Sequence, residues 1–321
     1  MKRKIFQKIL YIFFMFWVIS IVSFLMVHLA PNSFLASGEL NPNITQESLD
    51  NLKRIYGLDK SLLEQYLSWT KSITTLNFGI SFSSGKSVRD EIVSRLPITL
   101  TINLISMTII FIVSTYIGIA AAIRQHSKFD DVIKNISALS FAMPSFYLAI
   151  LLIGIFSIFL GWLPISGLHS QDIDSVTKSE YWLDYIKHLI LPLSVITLTS
   201  IGSTVLYIRS LSIEILKSDY IFFAKARGAT NKKIIFGYIL PNLSPPLITM
   251  LGMSLPGIIG GSVLIESIFA INGMGLLFFQ AATSRDYPVI LGVTMTGAFL
   301  TLLGNALADL ILLKINPFTK E

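Results

Sequence analysis

Six stretches of this chain are each long and apolar enough to cross the ~30 Å hydrocarbon core of a bilayer. They are 9–29, 97–123, 132–160, 187–208, 243–265 and 288–313. Few folds can accommodate them. A backbone amide or carbonyl in lipid finds no water, so each must bond within its own helix or within a closed sheet. The alternation of a barrel strand does not appear in the sequence. The six therefore read as helices, and the chain as an all-α membrane protein. Only 14% of the residues are charged and mean hydropathy is +0.68, against about 25% charged in soluble proteins. Pro144 and Pro256 lie inside spans and predict kinks. The first span follows MKRKIFQKIL, a start that imitates a secretory signal. At ~20 residues, with no Ala-x-Ala after it, the span reads as a retained helix.

Charge sets an expected orientation. Fifteen basic residues fall on one side if the N-terminus is cytoplasmic: Lys2, Arg3, Lys4 and Lys8, then Arg124, Lys128 and Lys134, then Arg209, Lys217, Lys225, Arg227, Lys232 and Lys233, then Lys314 and Lys320. The two shorter outer loops hold only Lys178, Lys187 and Arg285. This is a positive-inside asymmetry with both termini in the cytoplasm. The net charge of +6 belongs to this pattern. The basic residues sit at the ends of apolar runs and not along a polar groove, so no nucleic-acid partner is expected.

The only sizeable polar region is the first loop, 31–96. Within it, 45–69 suggests two short helices broken at Gly57, with a weak capped start at Thr45 and Ser48. The expected organisation is a helix at 1–30, an outer subdomain at 31–96, a five-helix core at 97–313 with a cytoplasmic loop at 209–241, and a tail at 314–321. The sequence carries no internal repeat and no low-complexity tract.

That cytoplasmic loop holds the most informative local pattern, SDYIFFAKARGATNKKIIFGYILP at 218–241. Asp219 is placed to cap a short helix. Tyr220, Phe223, Ala224 and Arg227 then share a side by i, i+3, i+4, i+7 spacing, and Gly228 ends it in a left-handed conformation. Lys232 and Lys233 follow, with Leu240 and Pro241 before the next apolar run. A solvated basic loop is the plain reading; a gripping point for something in water is the sharper one.

Other candidates carry less. Gly85-Lys86-Ser87 imitates a phosphate loop, but that motif needs glycine at position 80, where Ile80 stands. Cysteine is absent, which removes disulfides and thiolate sites, and the patterns HExxH and GxSxG do not occur. The four histidines, His28, His126, His169 and His188, are scattered; His28 and His188 read as interface residues at outer helix ends. No metal site is expected. Asn103, Glu266, Asn305 and Asp309 lie inside or near spans, where such groups are costly. They are candidates for a transport pathway or gate, with helix-to-helix bonding as the plain alternative.

The 218–241 block resembles the cytoplasmic signature loop of ABC-importer permeases, where a glycine precedes a Leu-Pro pair at fixed spacing. Gly228, Leu240 and Pro241 hold those places, and Ala224 the second alanine of a Glu-Ala-Ala triplet. Phe222 and Phe223 depart from that triplet. Asp219, Tyr220, Ile221, Ala224, Lys225, Ala226, Arg227 and Gly228 instead resemble the oligopeptide/dipeptide/nickel branch. Further segments agree in order: His28-Leu29-Ala30-Pro31, Tyr56-Gly57-Leu58-Asp59, Gln65-Tyr66, Asn77 to Ser81, Arg95-Leu96-Pro97, Pro144-Ser145-Phe146, Gly161 to Pro164, Glu266 to Gly275 and Arg285 to Pro288. Asn316-Pro317-Phe318 departs from a common Asp-Pro-Arg ending.

The resemblance implies a type I (MetI-like) importer permease of the bacterial cytoplasmic (inner) membrane. It implies a second, homologous permease subunit, two ATPase subunits and an extracytoplasmic solute-binding protein as partners. It implies no cofactor in this chain, ATP and magnesium being held by the ATPases, so the chain is not itself an enzyme. The coupling residues it implies are Asp219, Tyr220, Phe223, Ala224, Arg227, Gly228, Leu240 and Pro241. The implied cargo is nickel, a nickel chelate or small peptides, with Phe78 to Phe82 closer to the nickel branch. An ion-coupled secondary transporter is the alternative, though such proteins show repeated halves; an intramembrane enzyme is a weaker one.

Overall fold

The computed structural model describes residues 2–29, 60–170, 177–254 and 263–315. Among them, regular structure is helical apart from one antiparallel bridge between Ile80 and Ser87. Five helices are long and apolar enough to span a membrane, and six if one sharply bent pair is a single span. The chain divides into two compact units.

The first unit joins Met1–Pro97 to Gly273–Ala306. Helix α1 (Lys2–Leu29) leaves Phe6, Phe13, Phe14 and Trp17 exposed, as a helix bathed in lipid does. Helix α2 (Leu62–Thr74) is the second of the two short helices expected in 45–69. The first, with Thr45, Ser48 and Gly57, lies outside the described residues. Ser61 sets the start of α2: its hydroxyl accepts from the Glu64 amide at 3.4 Å, while the Glu64 carboxylate accepts from the Ser61 amide at 3.1 Å and hydroxyl at 2.9 Å. These bonds hold the Glu64 carboxyl below its usual range. Phe24 of α1 is buried against Tyr66 and Trp69, ring centroids 5.4 and 5.5 Å away, and Ser20 shares a 2.8 Å hydrogen bond with the Tyr66 hydroxyl.

Helix α3 (Val88–Ile123) starts well before the expected position 97. Asp90 and Glu91 occupy its first turn, where negative charge suits the unpaired amides, and Pro97 is carried inside. The later helices of this unit lie after Gly273. Asp286, just before the last of them, accepts from the Ser81 hydroxyl at 2.6 Å and the Ser83 amide at 3.0 Å, fixing the 79–87 loop. A Cβ at Gly292 would stand 2.7 Å from Val88 Cγ1, so only glycine permits this approach to α3.

The second unit comprises Ile98–Asn272 and Leu307–Glu321. After α3 come α4 (Lys128–Ala142) and α5 (Ser145–Leu152), the latter widening into a π-helix, Ile153–Phe159. The kink expected at Pro144 is a full break. Met143 and Pro144 are extended, and the helices on either side diverge by 98°. Proline forces its predecessor out of the helical region, so the chain turns at Met143. Helix α6 (Lys178–Leu216) exceeds the expected 187–208 at both ends. Short helices α7 (Asp219–Ala226) and α8 (Asn231–Ile234) precede a π-helix, Ile235–Ile239, and α9 (Leu240–Ser254). Pro256, with its expected kink, lies outside the described residues. Then follow α10 (Val263–Ile268), α11 (Met274–Ser284) and α12 (Tyr287–Ile315); α11 and most of α12 belong to the first unit.

Small residues set the packing of the second unit, as lipid-embedded helices require. A Cβ on Gly202 of α6 would collide with the Ser137 carbonyl of α4, and the Ser140 hydroxyl donates to the Leu198 carbonyl. A Cβ on Gly118 of α3 would lie 2.9 Å from Ile208 of α6. An apolar core gathers Ile102, Leu148, Leu189, Val195, Phe269 and Ile271. The Gly167 amide donates to the Phe269 carbonyl at 2.7 Å, anchoring the loop before α6.

Candidate functional site

The 209–241 connection is shorter than the sequence suggests. Helix α6 continues to Leu216 and helix resumes at Asn231, so the non-helical joints flank α7 alone. Ser218, not Asp219, holds the N-cap position of α7. Its hydroxyl donates backwards to the Ile215 carbonyl at 2.6 Å and makes no side-chain cap. Asp219 is instead the first helical residue, where its charge favours the amide end.

Gly228 does end α7 as expected. Its φ is +80°, its amide donates to the Lys225 carbonyl at 2.9 Å, and the Ala229 amide donates to the Ala224 carbonyl at 3.0 Å. Those two bonds form a Schellman ending. No atom lies within 4 Å of a Cβ built at Gly228, so backbone angle alone selects glycine there.

The two faces of α7 differ in one respect from the helical-wheel reading. Ala224 does not stand with Tyr220, Phe223 and Arg227. It is buried, and with Ile221 it forms the inward face. Ile221 enters a cluster with Ile119, Ile208, Ile234, Ile239 and Leu243. Tyr220, Phe222 and Phe223 point outward at 44%, 69% and 59% exposure, with Arg227 also exposed. Phe222 and Phe223 meet edge to face at 5.8 Å, and Tyr220 stacks near Tyr238 at 6.3 Å. The result is an eight-residue helix seated on an apolar base, presenting three aromatic rings at the surface.

Leu240 and Pro241 are not in a loop. Both belong to α9, Leu240 packed on the α7 base and Pro241 exposed. Proline offers no amide and crowds the carbonyl one turn back; the chain meets this with the π-helical turn Ile235–Ile239, closed by the Leu240 amide on the Ile235 carbonyl.

The pathway candidates separate. In the second unit, buried Glu266 accepts from the buried Thr99 hydroxyl at 2.8 Å, and Asn103 donates to the Thr99 carbonyl at 2.8 Å. One threonine thus links Asn103 and Glu266. Asn305, half-buried, and Asp309, exposed, stand one turn apart on α12.

Two groupings escaped the sequence reading. His169 and His188 are not scattered: both approach Asp184, at 3.2 and 3.5 Å, and His169 stacks on Tyr181 and Tyr185. Asp184 and His188 stand one turn apart on α6, a spacing present in the sequence, whereas the approach of His169 had no such signal. The second is Arg209. By sequence an inside charge and no more, it makes a two-pronged pair with Asp130 of α4, which is wholly buried. A charge at the end of an apolar run demands a partner, and that was the signal available. The side chain of His28 lies outside the description.

Residues 114–321 match the family described as binding-protein-dependent transport system inner membrane component, and residues 1–103 match its N-terminal family. The chain belongs to that family. The permease is 34% identical over 300 residues to the oligopeptide transport system permease protein AppB of Bacillus subtilis, covering 93% of each chain. It is 32% identical to the oligopeptide permease OppB of Haemophilus influenzae, covering 99% of each, and 30% identical to the di/tripeptide permease DppB of Pseudomonas aeruginosa, covering 94% of each. The permease is therefore a multi-pass inner-membrane protein with the MetI-like architecture expected of it. As a member of the oligopeptide/dipeptide branch of ABC-importer permeases, it works with ATPase and binding-protein partners.

Proposed function

We propose that this permease imports small peptides, handed over by an extracytoplasmic binding protein and driven by two ATPase subunits, in a pair with a second, homologous permease. Its termini lie in the cytoplasm. ATP and magnesium are held by the ATPases, and hydrolysis is theirs. The outer subdomain at 31–96 and the core at 97–313 divide the labour between binding-protein side and pathway. Peptides stand ahead of nickel because the three relatives above are named for peptide transport. The same relatives favour an ATP-driven importer over an ion-coupled carrier.

The observation that carries this reading is the construction of α7. With α7 on the cytoplasmic side, as this reading has it, a short helix with Ile221 and Ala224 buried and Tyr220, Phe222 and Phe223 exposed has no folding reason to bare its rings. Aromatic anchors on a rigid support dominate protein interfaces. An ATPase groove takes Tyr220 and Phe223, with Arg227 as polar partner and Asp219 at the amide end. Ala224 and Leu240 pack beneath, Gly228 ends the helix, and Pro241 sets the π-helical turn before α9. When the ATPases close on ATP, α7 moves with them and the spans rock to open outward; hydrolysis resets them. This is a two-state element biased by a distant ligand. Asn103, Glu266, Asn305 and Asp309 are the pathway residues.

Phe223→Asp in the reconstituted complex tests the docking surface. Membrane insertion is expected unchanged, with ATPase co-purification and uptake both lost. Retained co-purification and normal uptake would remove the proposal. Gly228→Asp sets a negative charge at the carbonyl end of the docking helix and is expected to leave insertion intact while separating hydrolysis from uptake.

A further inference from the structure

The docking helix rests on the end of α6, and α6 is bound to α4 at three successive levels. Leu198 meets Ser140, Gly202 meets Ser137, and Arg209 meets Asp130. The two helices run antiparallel in a constant register. The first two levels are backbone-close contacts of small groups. The third is an ion pair: Arg209 Nε donates to Asp130 Oδ1 at 2.5 Å and a terminal guanidinium nitrogen donates to Oδ2 at 2.7 Å. Asp130 has no exposed side-chain surface and Arg209 little. The same carboxylate accepts from the His126 amide at 3.1 Å, and His126 is held at φ +65°. Asp130 therefore clamps the α3–α4 turn, the foot of α4 and α6 together.

Arg209 stands two turns before the end of α6. Its neighbour Ile208, with Leu211, Ile215 and Leu216, forms the base under Ile221 of α7. The other end of α4 is the break at Met143–Pro144. The pair thus lies between the helix that receives force and the broken span that α4 begins. Surface pairs contribute little, but a buried two-pronged pair fixes geometry, because neither charge tolerates losing the other.

We propose that Asp130 and Arg209 are positioning residues of the transport cycle, a strut that makes α4 follow α6 whenever α7 is displaced. Gly202 and Ser137 bring the two backbones together; the ion pair ties the helices at the end where α7 is mounted. The inference rests on the docking reading of α7.

The test uses the assembled importer, with both permeases, ATPases and binding protein, in proteoliposomes supplied with a short peptide. The Asp130→Ala/Arg209→Ala double variant removes both charges and leaves neither stranded. It is expected to retain the ATPase and its hydrolysis, while peptide uptake per ATP falls about tenfold, the size of effect a coupling residue carries. Arg209→Lys keeps the charge but not the fork, and is expected between that variant and the native protein. The exchanged pair, Asp130→Arg with Arg209→Asp, is expected to recover part of the lost ratio. Unchanged uptake per ATP in the double variant overturns the strut. So does loss of the ATPase from it, since the pair would then serve docking and not transmission. Phe223→Asp, run in parallel, reports on docking alone: retained ATPase there counts against the α7 reading and not against an uptake ratio lost in the double variant.

Discussion

Gly202 and Gly228 are both constrained positions, for opposite reasons. Gly202 has an ordinary backbone and no room; a methyl there meets the Ser137 carbonyl. Gly228 has room and an unusual backbone, φ +80°. Gly202→Ala is therefore expected to push α4 from α6 and cost about 1–3 kcal/mol, the range of an overpacked interior. A lowered melting temperature in detergent, with the α7 surface unchanged, checks it. Gly228→Asn is expected to be mild, since asparagine visits the left-handed region, whereas Gly228→Val adds the strain of a branched side chain there, about 1–2 kcal/mol. ATPase co-purification, compared across the two, separates backbone strain from bulk. Beneath α7, Ile221 is fully buried; Ile221→Ala leaves a cavity costing about 2–5 kcal/mol and is expected to loosen the docking helix, read as faster amide exchange across 219–226.

Among elements, α7 was legible from its residues: Gly228 announced the end, and aromatic spacing announced an exposed face. Its start was not, because Ser218 and Asp219 both suit a cap and only the backward bond of Ser218 to Ile215 chooses between them. Ala224 was misassigned because a helical wheel has no knowledge of which side holds Ile208 and Leu243. Pro144 announced a disturbance but not a 98° break, whose extent depends on Met143 leaving the helix as well. The Asp130–Arg209 pair and the approach of His169 to Asp184 join separate segments, and no local pattern encodes them; only Asp184 with His188, four apart on α6, was readable. Helix α2 carries a further prediction. Ser61 and Glu64 cap each other, and the carboxyl is held below its usual 4.5. A carboxyl lowered on folding lends stability above the unfolded value and loses it as pH falls through the folded one. The protection factors of the amides of 62–66, their exchange relative to the intrinsic rate at each pH, are thus expected to be higher near neutrality and to fall in acid, with Ser61→Ala abolishing the difference.

For the whole molecule, the absence of cysteine from the sequence makes topology directly testable. Lys225→Cys places a thiol beside the aromatic face of α7, and Lys86→Cys places one in the exposed turn before α3. An impermeant maleimide is expected to label the second in intact cells and the first only in inverted vesicles. Labelling of Lys225→Cys in intact cells would reverse the orientation and remove α7 from the ATPases.

Helix α6 has 39 residues, about 58 Å of rod at 1.5 Å per residue, while the hydrocarbon layer it crosses is about 30 Å thick. Much of it stands clear of the bilayer, and α7 is mounted near one tip. Pivoted at mid-length, such a rod multiplies angle into travel: a tilt of about 10° carries either tip about 5 Å, close to one helical pitch. A small rotation forced at the docking end is thereby converted to a full-turn displacement at the opposite face, so the permease has a lever arm fixed by nothing more than the distance between Thr177 and Lys217.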